Sequence, residues 1–377
     1  MKKYMGLFSW VMGIVGTIIG IVGIVQLFED QSTLFKICIV VVTFLCIAIL
    51  AAIFFAFSEV RDSKRQNGFI GDKSMVVQAN KRYLSSLYNS GEYNDVCNYG
   101  SVFSRVFYIA GAYQSRYQIG IMVFMSADKL NRDKLCATTL IDLGWTSLLL
   151  GVQGTESFTY KGVKYTCAKD FLLQSIKYSR KIGDNGLISK AYRHLSGYYL
   201  SEGNFPEAKK YRAKSEDYLN KLPDGMEKSV YIANLVYADA ETAFLEHNYT
   251  LSKELCIKAD ELKRGVDEEV REIRYYSQRG KIEYVQKRYS DAKGFFMIGL
   301  ESAKKLNRID EITKNTYGYA SCLILEGQRH EAEQYVKRML KKYGDLPLFI
   351  ADQYYKKEYH RLLSLNSLFE TGGDNDA

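Results

Sequence analysis

The chain has 377 residues, 47% of them hydrophobic, and a formal net charge of +8 from 51 basic and 43 acidic side chains. This composition is too apolar and too evenly charged for a disordered chain, and a total of 3 prolines argues against a loop-rich β-sandwich. The 7 cysteines form no CxxC pair, which excludes a zinc ribbon and favours free thiols over a disulfide scaffold. We therefore predict an all-α protein.

Two long apolar segments open the sequence. Residues 5–28 contain no charged side chain, and a helix of that length, about 36 Å, exceeds the roughly 30 Å of a hydrocarbon core. A second such run follows a short polar connector. The pattern predicts a membrane anchor at 1–60, a hairpin of transmembrane helices at about 5–28 and 36–57. A cleaved signal peptide and a pair of buried helices in a soluble core are the alternatives.

The charges that flank these runs predict an orientation. Basic residues precede the first run and follow the second, where a juxtamembrane linker spans 61–73, whereas the connector carries two acidic residues. Positive residues stay on the cytoplasmic side of a membrane. We therefore expect an integral protein of a bacterial cytoplasmic membrane, in contact with the lipid bilayer, with both termini and the repeat domain in the cytoplasm.

Small residues recur along one side of the first run, in steps of 3, 4, 3, 4 and 3. In lipid, such a stripe lets helices approach closely and associate. We interpret it as the contact between the two helices of one hairpin, and the alternative is a homo-oligomer of several hairpins. The stripe comprises Gly6, Ser9, Gly13, Gly16, Gly20 and Gly23.

The remaining sequence repeats with a period near 40 residues. One short motif recurs after steps of 40, 44 and 40 residues, and a further unit follows. The pattern predicts helical repeats over 74–347, a capping helix at 348–370 and a disordered tail at 371–377. The packing positions of the repeat turns are Tyr165, Ala168, Phe205, Ala208, Tyr249, Ser252, Tyr289, Ala292 and Ala332.

The segment Gly203-Asn-Phe205-Pro-Glu-Ala208 resembles the turn before the second helix of a tetratricopeptide repeat (TPR), and Leu195 and Tyr199 match that family's Leu and Tyr. The period is longer than the family's usual length of about 34 residues and is similar to that of its signalling and scaffold members. The resemblance implies an α-solenoid superhelix, so the full prediction is a transmembrane hairpin followed by a TPR-like solenoid.

The same resemblance implies that the first helix of each pair lines a concave groove. Basic, amide and tyrosine side chains at those positions suit an extended acidic peptide or a C-terminal carboxylate. The alternative is a generic basic surface, and nucleic acid is not a predicted partner because the sequence has no Lys/Arg block. The candidate partner-binding residues are Lys190, Arg193, Asn234, Tyr237, Arg274, Lys281, Lys314 and Tyr317.

Residues 151–165 interrupt one repeat between its two helices. Their alternating pattern around Lys161-Gly162 predicts a short β-hairpin. Both a longer surface loop and a recognition loop remain open interpretations of this insertion.

Catalytic motifs are missing from the sequence: it has no P-loop, no dinucleotide fingerprint, no nucleophile elbow and no HExxH pair among its 4 histidines. We predict no enzyme activity, no cofactor and no metal. The main hypothesis is a membrane-anchored TPR scaffold or adaptor that binds a cytoplasmic protein or acidic peptide in its basic groove. The alternative is a ligand- or partner-triggered sensor–effector, of bacterial stress or phage-defence type, whose hairpins oligomerise and perturb the membrane.

Overall fold

The computed structural model describes residues 75–263, 268–346, 348 and 350–370, and within these ranges the chain forms 14 helices and one two-stranded sheet. In chain order the elements are α1 (Met75–Asn89), α2 (Tyr93–Ile109), α3 (Tyr113–Lys129), α4 (Asp133–Gly154), β1 (Phe158–Tyr160), β2 (Val163–Tyr165), α5 (Ala168–Lys181), α6 (Asn185–Ser201), α7 (Phe205–Leu219), α8 (Met226–Leu245), α9 (Tyr249–Leu262), α10 (Glu268–Val285), α11 (Tyr289–Leu306), α12 (Ile309–Leu325), α13 (Arg329–Tyr343) and α14 (Ile350–Glu370).

Consecutive helices pack against each other in neighbouring pairs along the chain. The pairs from α4 with α5 to α12 with α13 follow the period seen in the sequence. The all-α prediction is confirmed for the described residues, and the stacking of helix pairs is consistent with an α-solenoid.

Tight turns join the two helices of most pairs. After α6, Gly203 adopts a left-handed φ of 71°, and the Asn204 N–H donates to the Tyr199 carbonyl at 2.8 Å. The Asn204 side chain then caps α7 by accepting a hydrogen bond from the Glu207 N–H at 3.2 Å. His247 and Lys287 occupy the same left-handed position in the next two turns. A Schellman-type ending followed by an N-cap thus reverses the chain within three residues.

The small residues of the repeated motif lie where the two helices of a pair cross. Ala208, Ala292 and Ala332 are buried, and the Ser252 hydroxyl, also buried, donates to the Ala240 carbonyl of the facing helix at 2.7 Å. Tyr165 and Ala168 are buried in the same way at the start of α5. The turn aromatics Phe205, Tyr249 and Tyr289 are partly buried at the first position of their helices.

The segment expected to cap the array is helix α14, and it packs on the first helices α8, α10 and α12. The Tyr355 hydroxyl donates to the Ser277 carbonyl of α10 at 2.8 Å, and the Tyr284 hydroxyl donates to the Glu358 carboxylate at 2.8 Å. Since first helices line the inner face of such an array, α14 covers a large part of that face.

The two ends of the helical array meet. The Tyr108 hydroxyl of α2 donates to the Asp310 carboxylate of α12 at 3.5 Å, and the Arg308 guanidinium lies 5.4 Å from the centre of the Tyr108 ring. On the same side, Leu346 packs so closely on Gly111 that a Cβ added at this glycine would lie 2.3 Å from a leucine methyl group. Helices from the beginning and the end of the array therefore enclose a central cavity.

The predicted hairpin in the insertion is confirmed: β1 pairs antiparallel with β2, and Lys161 and Gly162 both have positive φ in the connecting turn. Phe158 stacks on Tyr165 with ring centres 4.7 Å apart, and the Tyr160 hydroxyl donates to Asp128 at 3.1 Å. The stack joins the two strands, and the Tyr160–Asp128 hydrogen bond attaches the hairpin to α3.

The predicted localisation as an integral membrane protein is wrong for the part of the chain that the structure describes. None of the helices between residues 75 and 370 is both long enough and apolar enough to cross a membrane. Their amphipathic sequences place charged residues on one side and core residues on the other, which suits a helical array. The spans predicted at 5–28 and 36–57, the stripe from Gly6 to Gly23, the linker 61–73 and the tail 371–377 lie outside the described residues.

A candidate anion-binding cavity

The central cavity has an empty volume of about 890 Å³. Side chains of the first helices α4, α6, α8, α10 and α12 line it, together with residues of α2 and α14. That volume includes space open to solvent, and charged, polar and aromatic side chains line it.

The structure brings five of the eight predicted partner-binding residues together in the wall of this cavity. They are Arg193, Asn234, Tyr237, Arg274 and Lys314. They come from four successive first helices, α6, α8, α10 and α12, which the repeat aligns side by side. These five side chains therefore share one wall of the cavity.

The other three predicted residues do not line the cavity. Lys281 is fully buried, with its ammonium 4.3 Å above the Phe244 ring, and burial lowers its pKa. Tyr317 packs in the core against Tyr359, with ring centres 5.4 Å apart. Burial also lowers the pKa of Lys190, which is not part of the cavity lining.

Arg193 and Arg274 are the notable cations of this wall. Within the described part of the chain, no carboxylate oxygen lies within 4.0 Å of either guanidinium. Arg193 makes a hydrogen bond to Nε2 of His194 at 3.2 Å, and Arg274 lies 5.4 Å from the centre of the Tyr237 ring. Burial, together with the charge of Arg274, lowers the pKa of Arg193 to about 10.

The neighbouring cations differ because each has an acidic partner. Arg308 pairs with Asp310 at 2.7 Å. Lys314 pairs with Glu311 at 2.8 Å and with Asp352 of α14 at 3.5 Å. The positive charge available for a ligand is therefore concentrated at Arg193 and Arg274.

His194 lies between the arginines and the aromatic side of the cavity. Its ring centre is 5.2 Å from that of Trp145. Burial and the charge of Arg193 hold the pKa of His194 well below its usual value of 6.5, so the ring is neutral at pH 7. A neutral ring can accept the Arg193 hydrogen bond at Nε2 when its proton is on Nδ1.

Glu241 is an acidic member of the wall without a partner. Among the residues that the structure describes, no hydrogen-bond donor or cation lies within bonding distance of its carboxylate. Burial, and then the charge of Asp352, raises the pKa of Glu241 from 4.5 to about 7. Glu241 therefore exchanges a proton readily near neutral pH.

The cavity residues outside the predicted set include Tyr108, Trp145 and Asp352. Glu241 follows Tyr237 by one helical turn, and that spacing places it at an inner-groove position of α8. Tyr108 and Asp352 enter the cavity because the array closes and α14 folds inward. Neither the closure of the array nor the inward position of α14 can be predicted from a local sequence pattern.

The arrangement can hold an anionic group. A guanidinium donates paired hydrogen bonds to a carboxylate or phosphate, and two guanidiniums can hold two such groups or one of higher charge. Across residues 75–263, 268–346 and 350–370, no group of three or more His, Cys, Asp or Glu side chains is placed to hold a metal ion.

The family of the chain is left open by comparison with known proteins: no protein-family model matches the sequence, and no curated protein matches it. The resemblance to tetratricopeptide repeats therefore depends on the turn motif and the helix pairs.

Proposed function

We propose that this protein is a TPR-like helical-repeat binding protein without catalytic activity, and that it holds the acidic group of a peptide or protein partner in its central cavity. The observation that carries the proposal is the pair Arg193 and Arg274, two inward-facing guanidiniums without carboxylate partners among the described residues.

Unpaired charge inside a protein is energetically unfavourable. A fully buried charge that loses its partner destabilises a fold by about 3–5 kcal/mol, and the half-buried Arg193 and Arg274 carry a smaller share of that penalty. Placing two cations beside each other adds repulsion, which the lowered pKa of Arg193 reflects. A ligand carboxylate would offset both terms, so binding is the natural reason for such an arrangement.

The position of α14 limits how a partner can bind. This helix already covers inner-face positions on α10 and α12, where Tyr355 contacts Ser277 and Asp352 contacts Lys314. A long extended peptide along the whole inner face would have to displace it. The cavity wall around Arg193 stays available, so the proposal is capture of a short acidic segment or chain end.

The test uses a fluorescent triglutamate peptide and the full chain. We expect the double variant Arg193→Gln/Arg274→Gln to weaken binding by roughly a hundredfold, because each charge-assisted hydrogen bond contributes about 1.5–3 kcal/mol. Arg338→Gln, at an exposed position on α13, is the matched control and should bind normally. Unchanged binding by the double variant would remove the cavity from consideration.

A second candidate function is a ligand-responsive sensor, favoured by the contact between Asp352 of α14 and Lys314 in the cavity wall. An anion that enters beside Lys314 competes with Asp352 for the same ammonium. We expect triglutamate to raise amide hydrogen exchange in α14 if this function is correct. Exchange that falls or stays constant in α14 would favour simple capture.

A further inference from the structure

The cavity contains a specific set of unsatisfied charges. Arg193 and Arg274 lack carboxylate partners, and Glu241 lacks a cationic or hydrogen-bonding partner, within the described ranges. The other charged residues of the wall, namely Arg308, Asp310, Glu311, Lys314 and Asp352, form ion pairs with each other. A complementary ligand would therefore carry two negative charges and one positive charge.

Glu241 is presented to the cavity by α8. It lies one turn after Tyr237 and two turns after Asn234, and all three side chains line the cavity. The charged groups that influence Glu241 come from every element around it: Arg193 on α6, Arg274 and Lys281 on α10, Lys314 on α12, and Asp352 on α14.

Within the described residues none of these cations, Arg193 and Arg274 included, lies within 4.0 Å of the Glu241 carboxylate. Lys314 is already held by Glu311 and Asp352, and Lys281 lies over the Phe244 ring. Glu241 is half-buried, and a carboxylate removed from water without a donor is unfavourable when ionised, just as an unpaired guanidinium is. The same physical argument that assigns an anion to the arginines assigns a hydrogen-bond donor, and preferably a cation, to Glu241.

We propose that the ligand is a short acidic peptide with a free amino terminus, whose ammonium group pairs with Glu241 while two of its carboxylates pair with Arg193 and Arg274. This inference depends on the proposed function and specifies its ligand.

The lining of the cavity suits a short peptide. Asn234 offers an amide that can pair with a peptide bond, and Trp145 and Tyr237 offer aromatic surfaces. The amide can hydrogen-bond to the peptide backbone. The aromatic rings can pack against the methylene groups of the glutamate side chains.

Calorimetry on the full chain at pH 7 tests the inference with two peptides that differ in one group. Triglutamate has a free amino terminus, and N-acetyl-triglutamate lacks the ammonium but keeps every carboxylate. We expect acetylation to weaken binding at least tenfold. In Glu241→Gln the two peptides should bind alike, whereas Glu254→Gln, at an exposed position on α9, should keep the difference.

Proton release gives a second readout. Pairing with an ammonium favours ionised Glu241, so binding of triglutamate at pH 7 should release a fraction of a proton to the buffer. Titrations in two buffers with different ionisation enthalpies measure that release. It should vanish in Glu241→Gln and fall for the acetylated peptide.

The outcomes separate the inference from the function that it rests on. Equal binding of both peptides, with loss in Arg193→Gln/Arg274→Gln, overturns the amino-terminal contact and leaves the proposed function intact. Tighter binding of adenosine monophosphate or inorganic phosphate, with the same arginine dependence, overturns the peptide class. Failure of every acidic probe to bind overturns both.

Discussion

Glu241 and His194 line the same cavity and respond to pH in opposite directions. His194 has a lowered pKa in the folded chain, so its contribution to stability is complete above about pH 6.5 and is lost progressively as the pH falls from that value toward the lowered pKa. Glu241 has a raised pKa, so its contribution is present below about pH 4.5 and is lost as the pH rises through about 7. Between pH 4.5 and 6.5 the two contributions oppose each other.

We therefore expect Glu241→Gln to gain stability relative to the parent chain as the pH rises from 5 to 8. The amide stays neutral, whereas the Glu241 carboxylate becomes a buried charge near pH 7. Urea unfolding at several pH values measures the difference. Glu254→Gln serves as the control, and a pH-independent difference for Glu241→Gln would contradict the assignment.

Lys287 adopts a left-handed φ of 63° at an exposed turn, in the position where Gly203 stands two repeat pairs earlier. Left-handed backbone is unfavourable for a residue with a Cβ by about 1–2 kcal/mol, partly offset by the greater freedom of glycine in the unfolded chain. We expect Lys287→Gly to raise the free energy of unfolding by up to about 1 kcal/mol. The reverse change, Gly203→Ala, should lower it by a similar amount in the same urea titration.

At the scale of helices, Phe296 of α11 defines a close crossing. Its ring lies between Gly280 of α10 and Gly318 of α12, and a Cβ added at these glycines would lie 2.6 Å and 2.7 Å from ring carbons. Phe296 is fully buried, so the ring has little room to move aside. The two glycines permit three successive helices to pack around one aromatic ring.

We expect Gly318→Ala to destabilise the fold by about 1–3 kcal/mol through overpacking. Gly294→Ala is a matched control within α11, because the added methyl group meets no atom within 4 Å. That control should instead stabilise the helix by up to about 1 kcal/mol. Equal effects of the two substitutions on the thermal unfolding midpoint would show that the Phe296 ring can move aside for the added methyl group.

At the scale of the whole array, the contacts between its first and last helices change how cooperatively we expect the helices to unfold. An open solenoid has only nearest-neighbour contacts, whereas here Tyr108 reaches Asp310 and Leu346 packs on Gly111. The seam between these segments links the first helices to the last. Loss of the contacts at this seam should destabilise the helices at both ends of the array and leave the helices in its middle folded.

We expect Leu346→Asp to raise amide hydrogen exchange in α2, α3 and the start of α12, with little change in α6 to α8. A carboxylate in this apolar cluster is unfavourable, and Leu346 is buried. Leu251→Asp, at an exposed position on α9, is the control and should leave exchange unchanged. A uniform rise across the described helices would mean that the seam has no separate role.

Much of the local organisation follows from the sequence alone. The period near 40 residues predicts the helix pairs, and the spacing of Phe205 and Ala208 predicts the turns that join them. Helical geometry also selects the inward face, which is why Arg193, Asn234 and Arg274 were identified without coordinates. These features are local, because each depends on residues within one repeat.

Only the tertiary structure decided that the groove is a cavity. The Tyr108–Asp310 contact joins residues 202 positions apart, and it depends on small rotations that accumulate over every intervening pair. The inward position of α14, which brings Asp352 to Lys314, likewise depends on the curvature of the array. Local periodicity specifies which side chains face inward, whereas the summed curvature decides which of them meet.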